Sequence, residues 1–253
     1  MADIGLVLSG GGARGVAHLG LLQALDELQI KPQVISGVSA GAVIGALYAG
    51  GYKPAQILHI AKEHSPMSVV AAVITSGGLF SPEILKKVLA KALPHDGFEF
   101  LKIPLYVTAT DLNSCSSVTF SKGLLNDVIV GSSAVPAVFE PILHQHYLLV
   151  DGGVLNDFPV DCLSGQCRKI IGSHVNKLLS SEGMNLTRLQ VLERCFHLAA
   201  AEKVTSQARL CDVLIEPVLT PYNMFEMKYA DEIFEIGYQA AMDQKENLLL
   251  LTY

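Results

Sequence analysis

The chain has 253 residues, half of them hydrophobic and 17% charged, with 22 glycines, 11 prolines and a formal charge of −6. This composition excludes a disordered, collagen-like or coiled-coil chain and supplies apolar surface for a large core. The acidic balance, with no dense Lys/Arg cluster, excludes a general nucleic-acid binder and gives no bulk attraction to an anionic membrane.

In chain order, the apolar run 4–8 predicts a strand. A loop follows, Ser9-Gly10-Gly11-Gly12-Ala13-Arg14-Gly15, and then residues 16–28 carry Leu19, Leu22, Leu25 and Leu28 at helical spacing. A second strand, 34–36, ends in Gly37-Val38-Ser39-Ala40-Gly41, and 42–49 reads as a buried helix. Residues 32–52 contain no charge and place glycines at 37, 41 and 45, a spacing that membrane helices also use. Five glycines, Pro32, Gln33, Ser36 and Ser39 lower the hydrophobicity of that stretch, which favours a buried turn and helix of a soluble core. Pro54 marks a helix start, and Ser81-Pro82 supplies an N-cap and first-turn proline for another. Between them, 65–80 is apolar and glycine-punctuated. With 81–92 it reads either as a lid or acyl-chain wall or as a core segment under the sheet edge.

Residues 104–110 predict a strand ending at Asp111, with 117–120 beside it before a turn at Lys122-Gly123. A helix over 126–133 breaks at Pro136, a strand over 146–150 terminates in Asp151-Gly152-Gly153, and 169–173 is a further strand. Two long amphipathic helices, 186–208 and 231–250, flank a short strand at 212–215. Strands alternating with helices predict a three-layer α/β/α sandwich with a mostly parallel central sheet. Without a repeat or linker, residues 1–253 read as one domain.

The five cysteines are scattered, with no C-x-x-C and no histidine at zinc-finger spacing, so free, mostly buried thiols in a reducing compartment are expected. Asp3 and the glycines after residue 8 are unlike a signal peptide, which predicts a cytoplasmic protein unless a signal-less route exports it.

Three stations carry candidate chemistry. Gly10-x-Gly12-x-x-Gly15 matches the dinucleotide fingerprint, but the second strand lacks the carboxylate that would hold a ribose, and a Walker lysine is absent. What remains is a nest of backbone N–H groups at a helix N-terminus beside Arg14, suited to a phosphate or a transient oxyanion; a tight turn is the plain alternative. Gly37-x-Ser39-x-Gly41, between strand and helix, fits a sharp elbow that exposes a serine hydroxyl. A base must take the serine proton. His174 and His197 are candidates by position, yet neither is framed by loop glycines. Asp151 stands at a strand end with Gly152-Gly153 behind it.

Together these stations resemble the patatin-like phospholipase family in its short bacterial form. Gly10 to Gly15 is similar to the family's glycine-rich oxyanion block, Gly37 to Gly41 to its nucleophile elbow, and Asp151-Gly152-Gly153 to its catalytic Asp-Gly-Gly. Thr108 to Leu112 and Ser133 to Pro141 also look like family blocks. The resemblance covers about residues 2–159, with 160–253 matched only as the last strands and covering helices. It implies the patatin-like, acyltransferase/lysophospholipase-like fold and a Ser39–Asp151 dyad without histidine, in which Gly11 and Gly12 N–H groups hold the oxyanion and Arg14 stabilises the loop. The implied activity is hydrolysis of lipid or other acyl esters, with no cofactor and no metal, and with transient contact to a membrane surface. Oligomeric state is open. Glu140 departs from the family pattern as a second carboxylate near the site. An acyltransferase of the related malonyl-transfer fold would carry histidine where Val38 stands, and a silent regulatory module would be expected to lose Ser39 or Asp151. A bulky residue at Gly11 or Gly12 is expected to lower rate far more than stability.

Overall fold

The computed structural model describes residues 2–63, 83–180 and 186–252. Strand β1 (Ala2–Leu8) points Ile4, Leu6 and Leu8 into one apolar cluster and Val7 into another, the two-residue alternation of a strand buried on both faces. After the glycine loop come α1 (Val16–Glu27), β2 (Val34–Val38), α2 (Ala40–Gly50) and α3 (Pro54–Glu63). Next are α4 (Glu83–Ala92), β3 (Leu105–Asp111), β4 (Ser116–Phe120), α5 (Asn126–Ser132), β5 (Ile142–His144) and β6 (Tyr147–Asp151). The short helix α6 (Gly153–Asn156) leads to β7 (Cys167–Ser173), α7 (Arg188–Ala208), β8 (Val213–Ile215), α8 (Ala230–Met242) and α9 (Lys245–Leu250).

The strands form one sheet in the order β5-β6-β3-β2-β1-β7-β8, with β4 also paired to β3. Strands β3, β2, β1, β7 and β8 are parallel, while β4 and β6 run antiparallel to β3 and β5 antiparallel to β6. Leu19, Leu22, Ala46, Ile57, Leu89 and Ile233 cover one face from the helices. Phe158, Val160 and Leu163, with Val204 and Ala208 of α7, cover the other. This is the three-layer α/β/α sandwich with a mostly parallel sheet that the alternating pattern predicts.

The differences from the sequence reading have local causes. β5 has three residues, too few to set up a visible alternation. The helix expected over 231–250 divides into α8 and α9, because Gln244 N–H bonds the Ala241 carbonyl three residues back and tightens the turn. The cysteines are all free, but Cys115 and Cys195 are exposed and the other three only half-buried, which corrects the expectation of mostly buried thiols. Burial still pushes the Cys162 and Cys211 thiols up to about 12, so neither is poised as a nucleophile.

Residues 65–82, most of the segment expected as a lid or wall, lie outside the described residues. The remaining part, α4, buries Leu89 in the core and is tied to α5 by a 2.7 Å Lys86–Asp127 ion pair. Among the described residues, no helix is long and apolar enough to cross a membrane.

Candidate active site

Sheet register brings the elbow and the Asp-Gly-Gly turn together. Strand β3 lies between β2 and β6; Val38 of β2 pairs with Thr108, and Asp151 of β6 pairs with Ala109. Ser39, one residue past Val38, is therefore level with Asp151 across β3. Its backbone turns sharply, at φ 52° and ψ −124°, a conformation that costs a non-glycine residue about 1–3 kcal/mol and that a nucleophile elbow imposes. Tight packing explains the small residues around it: a Cβ on Gly41 would overlap the Leu8 carbonyl oxygen, and one on Gly37 would fall 2.5 Å from the Gly41 carbonyl oxygen. Ser39 N–H donates to Ser132 Oγ at 2.8 Å, and that hydroxyl donates to the Thr108 carbonyl at 2.6 Å, so the elbow is pinned to α5 and β3.

Ser39 Oγ donates to Asp151 Oδ2 at 2.6 Å, a length typical of a hydroxyl on a charged acceptor. Asp151 Oδ1 accepts from Gly153 N–H at 2.8 Å. Both side chains are buried. Burial pushes the Asp151 carboxyl up to about 7, against the pull of the Ser39 and Gly153 hydrogen bonds, and the nearby Asp157 carboxylate adds to the rise.

The glycine loop presents its amides beside this pair. Gly10 N–H donates to the Asp157 carbonyl at 3.2 Å and Ala13 N–H to the Met224 carbonyl at 2.8 Å. Those of Gly11 and Gly12, at φ 147° and 55°, meet no acceptor among the described residues, and Gly11 lines the cavity shared with Ser39 and Asp151. A Cβ on Gly12 would overlap the Met224 carbonyl oxygen at a left-handed φ, so a bulky residue there breaks the loop itself. This corrects the expectation that such a substitution spares stability. Buried His18 supports the loop from α1: Nε2 donates to the Ser9 carbonyl at 3.0 Å, leaving Nδ1 to accept from Ser173 Oγ at 2.8 Å. Burial holds His18 down at about 4, so it is neutral at physiological pH.

Arg14 braces the loop. It pairs with Glu193 at 2.6 Å, donates through Nε to the Tyr222 carbonyl at 2.8 Å and reaches Asn176 Oδ1 at 3.4 Å. Gly15 packs on Ala40 of the elbow helix, and Gly152 packs against the Thr108 backbone. Glu140 is exposed; the carboxylate that bears on Asp151 is Asp157. His174 is engaged by Glu216 at 2.9 Å.

Of the other cavity residues, the sequence singles out only His197 for chemistry, as a candidate base by position. Val135, Val138, Met224 and Phe225 form an apolar cluster in the lining, and α7 adds Glu193 and His197 beside the apolar Leu192 and Phe196, with Asp157 next to His197. Asp157 is anchored by Asn176 Nδ2 at 2.9 Å, so the buried Asn156-Asp157 pair after the Asp-Gly-Gly turn is the signal that could have found it. Among the described residues, no cluster of three His, Cys, Asp or Glu side chains could hold a metal ion.

The family model for patatin-like phospholipases matches residues 6–163. An uncharacterized NTE family protein of Mycobacterium tuberculosis is 34% identical over 165 residues, which cover 64% of this chain and 46% of that protein. The patatin-like phospholipase domain-containing protein 7 of Rattus norvegicus is 29% identical over 273 residues, covering 93% of this chain and 20% of its own. The chain therefore spans less than half the length of these relatives. VipD from Legionella pneumophila shares the fold, with a TM-score of 0.57 at 16% identity over 97% of this chain and 67% of VipD.

Proposed function

The chain belongs to the patatin-like phospholipase family, and from that premise we propose that it is a serine acyl-ester hydrolase, acting on lipid or related esters, with Ser39 as nucleophile and Asp151 as base. The observation that carries the reading is the 2.6 Å hydrogen bond from Ser39 Oγ to Asp151 Oδ2 at a strained elbow. Asp151 accepts the hydroxyl proton as Oγ attacks the ester carbonyl carbon. The oxyanion that forms is met by the Gly11 and Gly12 amides, which have no other acceptor among the described residues. Collapse of the tetrahedral intermediate expels the alkoxide, which takes the proton back from Asp151. Water then attacks the acyl-serine by the same path, with Asp151 again as base. One carboxyl must both take and give the proton, so a value near the working pH serves both steps.

The pH dependence tests this reading. Only ionised Asp151 accepts the proton, so kcat/KM for an uncharged ester should rise with pH through about 7 and level off above it. A profile that is flat from pH 5 to 9, or one that falls through 7, would count against Asp151 as base.

A further inference from the structure

The Gly10–Gly11 peptide joins two glycines, and Gly11 stands at φ 147°. This one peptide plane can rotate through ψ of Gly10 and φ of Gly11 with no Cβ on either residue to resist it. In one orientation it offers the Gly11 N–H to the cavity of Ser39; in the other it offers a carbonyl oxygen, which repels an oxyanion. A donor lowers the barrier only when it is aimed before the charge develops. Groups outside the two glycines must therefore fix the plane.

The contacts converge on Asn176. The chain beyond β7 runs beside the loop, where Val175 N–H donates to Ser9 Oγ at 3.1 Å. Asn176 is buried, and its Nδ2 donates to the Gly10 carbonyl at 3.1 Å and to Asp157 Oδ2 at 2.9 Å. Its Oδ1 faces Arg14 Nη1 at 3.4 Å. That sets the amide's orientation, because a flipped amide would hold its oxygen against two acceptors. Ser9 Oγ is a second donor to the Gly10 carbonyl, at 2.9 Å.

Asn176 lines a neighbouring cavity, whereas Gly11 lines the one that holds Ser39 and Asp151. A trans peptide sets its C=O and N–H in opposite directions, so a Gly10 carbonyl held on Asn176 sends the Gly11 N–H the other way. We propose that Asn176 is a positioning residue: by holding the Gly10 carbonyl, it aims the Gly11 N–H at the oxyanion formed on Ser39. This rests on the hydrolase reading above and adds to it the group that keeps one oxyanion donor in place. The amide suits the task because its two hydrogens reach the loop and Asp157 together. Aspartate there would oppose Asp157, and leucine would leave the Gly10 carbonyl with Ser9 Oγ alone.

The test is Asn176→Leu, assayed with p-nitrophenyl octanoate and two inhibitors. Heptyl trifluoromethyl ketone forms a tetrahedral adduct with an activated serine, and heptyl methyl ketone binds as the intact carbonyl. In the variant kcat should fall at least about tenfold, short of the roughly 10²–10³-fold cost of deleting a donor, because Ser9 Oγ still holds the carbonyl. Affinity for the trifluoromethyl ketone should fall by the same factor, while KM and the methyl ketone affinity stay within about threefold, the pattern of an interaction made only in the transition state. A merely structural role would lower the active fraction, which moves kcat and neither inhibition constant. Asn176→Ala gives the same comparison if a thermal scan finds the leucine chain unfolded. Unchanged trifluoromethyl ketone affinity in a folded variant would overturn the proposal. So would a loss explained by a shifted pH midpoint of kcat/KM, which would place the effect on Asp151 through Asp157, and so would unfolding of both variants, which would assign Asn176 to the fold. Fluorophosphonate labelling of the unmodified chain separates the two readings. Labelled Ser39 with unaffected variants overturns only the role of Asn176, whereas an unlabelled Ser39 overturns the hydrolase reading as well.

Discussion

Alanine at position 39 is expected to reduce kcat for short-chain p-nitrophenyl esters by about 10⁴–10⁶-fold, the loss that follows removal of a catalytic nucleophile whose partners act only through it. The fold should survive, because the hydroxyl makes one side-chain hydrogen bond, to Asp151, and the elbow is held through its backbone by Ser132. Asp151 loses the hydrogen bond that pulls its carboxyl down, so it titrates higher in the variant and stays neutral in its buried position. Steady-state kinetics beside a thermal unfolding scan checks both halves. Turnover within tenfold of the parent by a folded Ser39→Ala chain would remove Ser39 from the reaction.

Asp151→Asn should cost a similar factor, at least about 10⁴-fold, since asparagine cannot accept the serine proton. Its effect on stability has the opposite sign and depends on pH. The Asp151 carboxyl sits at about 7 in the folded chain against an ordinary value of 3.8. The folded state therefore binds the proton more tightly than the unfolded state does. The stability this confers is complete below about 4, declines as pH rises and is gone above 7, where the buried carboxylate is charged. That difference corresponds to roughly 4 kcal/mol. Asparagine is neutral at every pH and keeps an oxygen for the Gly153 N–H. The variant should thus be more stable than its parent at pH 8.5 by a few kcal/mol and nearly equal to it at pH 4. Denaturant unfolding at the two pH values checks this. A difference independent of pH would show that Asp151 is not a charged group held out of water.

The parts of the site that the sequence made legible are those whose chemistry is local. Gly10 to Gly15 and Gly37 to Gly41 each lie between a strand and a helix, and their small residues answer contacts with neighbouring backbone, as at Gly41 and Leu8. Asp151 was legible as a carboxylate in a glycine-opened turn. Its 2.6 Å approach to Ser39 was not, because that depends on β6 running antiparallel to β3 in one register. The polar part of the lining was hidden for a different reason. Glu193 and His197 sit four residues apart on α7, beside Leu192 and Phe196, and charged or polar residues on a long helix read as its water-facing side. Only the tertiary packing that sets α7 against α6 and the glycine loop turns that face inward. His197 is a candidate base by its place in the chain; the structure puts it in the cavity, while Ser39 Oγ donates its hydrogen bond to Asp151. Glu140 looked close to the site in sequence, yet the carboxylate beside Asp151 is Asp157, brought there by the single turn of α6.

The central claim is that Ser39 is activated by Asp151, and labelling of the unmodified chain with a fluorophosphonate, followed by peptide mapping, tests it most directly. The reagent requires an activated serine and reports which one reacts. The account predicts a single modified peptide carrying the label on Ser39, with labelling abolished in Ser39→Ala and slowed at least about 10³-fold in Asp151→Asn. A label on any other serine, or equal labelling of the parent and Asp151→Asn, would contradict it.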